Sequence, residues 1–170
     1  MTRAPQSWLR CTRGSSAVEL VLAMPILMIL MFGSAEVGNY FMSEHAVQKG
    51  VRDASRYAAR LPLEDLTDPD CNLTSDSAIQ DKVKRVARTG DPDGIDNSRL
   101  EFWDDDTTVT LQVECTNGVY GGIYSEFPDQ DAPLIRVIAR VDYEPLFDFL
   151  PLVSNGLQLN ATSEAAVSGA

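Results

Sequence analysis

The chain reads as α+β: a long N-terminal helix, transmembrane in its first half and amphipathic in its second, packed on a small antiparallel β-sheet domain. Three observations predict this. From Ala17 to Ala35 only Glu19 is charged. Beyond that run, apolar side chains recur at three- and four-residue steps as far as Leu61. From Thr107 onward the apolar period changes to two, which is the spacing of a half-buried strand.

The apolar run comes first. Counted from Ser15 to Ala35 it is 21 residues long, and about 20 suffice to cross a hydrocarbon core. Residues 1–14 hold Arg3, Arg10 and Arg13 and no acid, whereas the remaining chain holds 11 basic and 25 acidic residues, a net of −14. Positive-inside bias then places the N-terminus in the cytoplasm and the acidic body across the membrane. An acidic body of this kind excludes nucleic acid as a partner, because phosphate binding needs a Lys/Arg surface. The expected organisation is a leader over 1–14, a transmembrane helix over 15–36, an amphipathic stalk over 37–61 and an exported α+β domain over 62–170.

Three readings of the N-terminus compete. A secretory signal would be cut at the small residues Gly33-Ser34-Ala35. An uncleaved anchor would keep its leader. A prepilin-like leader would be cut on the cytoplasmic side after Gly14, leaving the helix on the mature protein. Glu19 favours the third, since a carboxylate in a spanning segment is expensive and by default functional. Its blander explanation is a shallow position from which the side chain snorkels to the interface. Pro25 removes one helix hydrogen bond, and it reads either as a functional bend or as a kink that neighbouring helices compensate.

The stalk stripe comprises Val37, Tyr40, Phe41, Glu44, Val47, Val51, Ala54, Ala58 and Leu61, and Pro62 ends it. Ser15 to Leu61 would be roughly 70 Å of continuous helix. Pro62 to Thr74 reads as a loop. Ser75 to Thr89 reads as a short helix, capped by Ser75 or Asp76, with Ile79, Val83 and Val86 inward and Gly90 as its stop. Val109, Leu111, Val113 and Cys115 mark one strand. Ile135, Val137, Ala139, Val141 and Tyr143 mark a second, and Leu157, Leu159, Ala161 and Ala165 a third. The connector 145–154 is apolar enough, with Leu146, Phe147, Phe149, Leu150 and Leu152, to pack on the sheet.

The cysteines agree with export. Cys71 and Cys115 lie beyond the span, and a bridge between them would stabilise the fold by roughly 3–4 kcal/mol; two unpaired buried thiols are the alternative. Cys11 would leave with the leader. The single histidine, His45, lies on the stalk with no nucleophile or orienting acid near it in sequence, and reads as a surface residue. Asp91, Asp93, Asp96 and Asn97, and the run Asp104-Asp105-Asp106, offer oxygen ligands of the kind calcium takes. Neither matches an EF-hand loop, and solvated turn acids are the stronger reading. No metal, no other cofactor and no enzymatic activity is expected.

Residues 12–60 carry a resemblance. Thr12-Arg-Gly14-Ser-Ser-Ala-Val-Glu19-Leu, then Phe32-Gly-Ser-Ala-Glu36-Val-Gly and Val51-Arg-Asp-Ala-Ser-Arg-Tyr57-Ala-Ala, resemble the TadE-like family, pilin-like proteins of the tight-adherence (Flp) pilus system. Arg140-Val-Asp-Tyr143-Glu-Pro-Leu146 and Leu157-Gln-Leu-Asn-Ala-Thr-Ser163 resemble the family's closing strands. The resemblance implies a type IVb prepilin: Gly14 the last leader residue, Ser15 the new N-terminus, Glu19 the acid at the fifth position. It departs from other pilin classes in Ser15 and Ser16, where those carry an apolar or aromatic residue. The implied function is a minor pilin or pseudopilin of a Flp/Tad type IVb pilus, serving surface adhesion and biofilm formation. The implied partners are other pilin subunits, the inner-membrane assembly machinery, a prepilin peptidase and membrane lipid. The competing reading is an exported binding or adhesin-like domain on an uncleaved anchor, with loops 62–75, 91–106 and 116–132 making the contacts.

Overall fold

The computed structural model describes residues 15–68, 72–94, 97–116, 132–147 and 156–167. Helix α1 runs over Ser15–Ala58 with Pro25 inside it. It stops three residues before the expected Leu61. Arg60 N–H donates to the Tyr57 carbonyl at 3.1 Å and Leu61 N–H to that of Ala58 at 3.0 Å, which narrows the last turn. Leu61 precedes Pro62, whose ring disfavours helical backbone in the residue before it. The segment expected to be a loop contains one further turn, α2 (Leu63–Leu66), which buries Leu66.

Helix α3 spans Ser77–Arg88. Asp76 caps it, accepting from Ala78 N–H at 2.9 Å, while Thr89 N–H closes its other end on the Arg85 and Val86 carbonyls. Gly90 follows at φ 93°, a left-handed conformation that favours glycine. Val83, Val86 and Ala87 are buried and Ile79 packs at their margin, so the expected inward face is the observed one. A short 3₁₀ turn at Asp106–Thr108 then leads into strand β1.

Three antiparallel strands form one sheet in the order β1-β2-β3: β1 Val109–Thr116, β2 Ala132–Asp142 and β3 Gln158–Ala166. Val109, Ala139 and Ala161 form one row across the sheet, and Leu111, Val137 and Ser163 the next. These rows face α1, and Ile135, Val137, Ala139, Val141 and Leu159 are sealed from solvent. Ser163 stands in an apolar row because its hydroxyl meets that of buried Ser55 on α1 at 2.9 Å. The opposite face is polar. On it Arg136 reaches Glu164 at 2.7 Å and Glu114 at 3.5 Å, exposed pairs that contribute little to stability.

The core therefore lies between the sheet and the second half of α1, with α3 crossing the helix beside it. Gly50 makes that crossing possible, since a Cβ there would overlap the Ala87 carbonyl and crowd the Trp103 ring. Trp103 is fully buried and donates its indole N–H to Thr108 Oγ1 at 2.8 Å.

The structure corrects the stalk stripe. Val47, Val51, Ala54 and Ala58 face inward as expected, but Val37 and Phe41 are exposed. The buried face begins instead at Glu36 and runs through Tyr40, Ser43, Val47, Gly50 and Ala54. Leu157, expected in the third strand, lies just before β3 and is exposed, its carbonyl accepting from Tyr143 N–H at 2.8 Å. Of the apolar connector, Phe147 packs edge-on against Phe32 of α1, with ring centres 5.1 Å apart, and Leu146 is exposed. Phe149, Leu150 and Leu152 lie outside the described residues.

Candidate functional site

Helix α1 is two different objects joined end to end. Residues 16–31 are exposed throughout, and none of the most apolar 18-residue window is buried. Val21 and Leu22 are each 69 % exposed, whereas Val47, Val51, Ala54 and Ala58 are at 0 %. Apolar surface left in water forgoes about 25 cal/mol per Å², so a 20-residue greasy rod of this kind needs another covering. Its length and composition suggest a membrane anchor.

Glu19 is the charged group on this rod. It is exposed, and it makes no hydrogen bond or ion pair among the described residues. It lies four positions after Ser15, the first residue of α1, and so on the same helix face. Gly14 and the rest of the leader lie outside the described residues. The helix continues through Pro25, leaving the Val21 carbonyl without its helical donor. Cys71 also lies outside the described residues and Cys115 is placed only as backbone of β1, so the expected bridge falls outside them as well. His45 is exposed on α1.

The loop acids have structural occupations. Asp91 Oδ1 accepts from Asp93 N–H at 3.1 Å in a turn. Asp105 caps the 3₁₀ turn through the backbone and hydroxyl of Thr107, bonds that hold its carboxyl below the usual value. Asp106 pairs with Arg88 at 2.6 Å, and Arg88 also donates to the Asp104 carbonyl. Asn97 is exposed, and Asp96 lies outside the described residues.

The residue that sequence reasoning missed is Glu36. It closes the expected 15–36 span, yet it is only 3 % exposed. Its Oε1 accepts from the Tyr143 hydroxyl at 2.7 Å and from Leu146 N–H at 3.1 Å, and its Oε2 from Phe147 N–H at 3.0 Å. Asn39, one turn along, donates to the same Tyr143 oxygen at 2.9 Å. Burial, with the Glu36 carboxylate as its hydrogen-bond acceptor, pushes the Tyr143 hydroxyl up to about 12. The ring is packed edge-on against Tyr40 and Phe102 at 5.2 and 6.3 Å. Thus one carboxylate ties strand β2 and the following turn to the helix where the apolar rod ends. The available signal was spacing: Glu36 lies four before Tyr40 and seven before Ser43, in register with Val47 and Ala54.

Comparison with curated proteins and with solved structures finds no match. The family model described as TadE-like protein matches residues 14–56, a range that takes in Gly14, Glu19, Pro25, Glu36 and most of the buried stripe, and over this helix the chain is similar to that family.

Proposed function

We propose that the protein is a minor pilin or pseudopilin, a structural and non-catalytic component or assembly factor of a Flp/Tad type IVb pilus. The family match suggests a component associated with that system. The observation that carries the finer reading is the division of α1: its second half has one face buried under its own domain, while residues 16–31 are exposed throughout and bear a lone carboxylate, Glu19. In the inner membrane lipid covers the uncovered half, with the N-terminus cytoplasmic and the acidic domain periplasmic. In an assembly, the same half packs against the equivalent helices of other subunits. Val37, Phe41 and Met42, exposed past the span, extend that apolar contact toward the domain.

Cleavage after Gly14 by a prepilin peptidase gives Ser15 a free α-ammonium. Glu19 of one subunit then pairs with the ammonium of its neighbour, neutralising two charges that would otherwise be costly in hydrocarbon and setting the axial register of the helices. Pro25 loosens the helix between Glu19 and the domain, so that packed helices adjust in length. N-terminal sequencing of the membrane-extracted protein tests this. The expected first residue is Ser15; Met1 would support an uncleaved anchor carrying a binding domain, and Glu36 a secreted protein.

A further inference from the structure

From residue 16 to residue 35 the structure leaves the helix bare except at Phe32 and Gly33, which are partly covered. The cover at Phe32 comes from the domain: the Phe147 ring sits at 5.1 Å and 69° to it. Leu146, beside Phe147, is 59 % exposed. A span that starts near Ser16 and needs about 20 residues ends near Ala35, one turn beyond Phe32. The 145–147 turn therefore reaches back along the helix to a level inside the apolar run. We infer that this turn is a second membrane contact, with Leu146 and Phe147 seated in the acyl–headgroup boundary on the domain's side of the bilayer.

Backbone chemistry supports a lipid surface as the occupant. A turn entering that boundary exposes amide groups that lose their water, and each one left unsatisfied there is costly. The two amides at the tip, those of Leu146 and Phe147, are both taken by the Glu36 carboxylate. The side chains that accompany these capped amides are apolar. Farther along the helix, Phe41 is exposed and Tyr40 partly so, and the Tyr40 ring meets Phe41 and the buried Tyr143 edge-on at 5.9 and 5.2 Å between ring centres; accessible aromatics at this level are of the kind found at membrane interfaces. Anchored at the helix and again at the turn, the domain would be held at a fixed height and rotation over the bilayer. That contact would have to break when the subunit leaves the membrane.

The inference rests on α1 spanning the membrane, and the experiment separates the two. Full-length protein carrying Leu146→Trp, and separately Met28→Trp, is reconstituted into phosphatidylcholine vesicles containing lipids brominated either near the headgroup or near the chain end. Emission of the unsubstituted protein, from Trp8 and Trp103, is subtracted. The expected result is loss of the Trp emission at position 146 with shallow bromines and loss of that at 28 with deep ones. Quenching at 28 with none at 146 overturns the inference and leaves the span intact. A blue-shifted but unquenched signal at 146 also overturns it, in favour of cover by a second copy of the chain. Absence of quenching at both positions removes the span and the second contact together.

Discussion

Removing the Glu36 carboxylate should loosen the domain from its helix. In Glu36→Ala three donors lose their acceptor at once: the Tyr143 hydroxyl and the amides of Leu146 and Phe147. Hydrogen bonds to a charged group contribute about 1.5–3 kcal/mol each, and an orphaned buried donor costs about 1–3. The three do not add. Leu146 is exposed and Phe147 half-buried, so their amides find water or headgroup acceptors, whereas Tyr143 is only 7 % exposed and its hydroxyl keeps the bond from Asn39 at 2.9 Å and a long one to the backbone carbonyl of residue 36 at 3.5 Å. Relief of the carboxylate's own desolvation offsets part of the loss. The net expectation is about 2–4 kcal/mol. Glu36→Gln should fall between, because an amide N–H₂ then confronts one N–H that needs an acceptor. The assay is urea unfolding of the full chain in detergent micelles, followed by Trp103 emission, together with hydrogen exchange at residues 146 and 147. Both amides should exchange faster in the alanine variant. An unchanged midpoint with unchanged exchange would refute the reasoning.

Four further outcomes are expected. Tyr143 titrates above its unfolded value of 10, at about 12, so its neutral form favours the fold. That contribution is complete below pH 10 and is lost as pH rises through 12. At 1.36 kcal/mol per unit it amounts to at most roughly 2–3 kcal/mol, and Tyr143→Phe should flatten the alkaline arm of a stability–pH curve. Gly50→Ala should destabilise by roughly 1–3 kcal/mol, since the added methyl meets the Ala87 backbone rather than a mobile side chain; a thermal melt that matches wild type would show that α3 moves aside freely. We propose that Cys71 and Cys115 are bridged; thiol labelling of periplasmic material without reductant should modify neither, and reduction should cost roughly 3–4 kcal/mol. Glu19→Ala should insert in the membrane and lose assembly, and normal piliation in that variant would dispose of the charge-pairing role.

What could be read from the residues alone was whatever local periodicity encodes. A 21-residue apolar run, the 3–4 spacing of Val47, Val51, Ala54 and Ala58, and the alternation in 109–115, 135–143 and 159–165 each declare an element and its inner face. They do so because burial acts on every turn or every second residue. The expectation placed on Gly14, Ser15 and Glu19 rests on the same kind of short spacing, beside the apolar run. Tertiary structure decided the rest. Glu36 and its Tyr143 partner are 107 residues apart and Ser55 and Ser163 are 108 apart. Polar residues at core positions look like exceptions until their distant partners are placed. Nothing in the sequence marks Gly50 until α3 crosses it, and Val37 and Phe41, which fall on the expected stripe, yield the inward face to Glu36 one position earlier. A sequence records which side chains avoid water; which of them meet depends on how the sheet and α3 close over the helix.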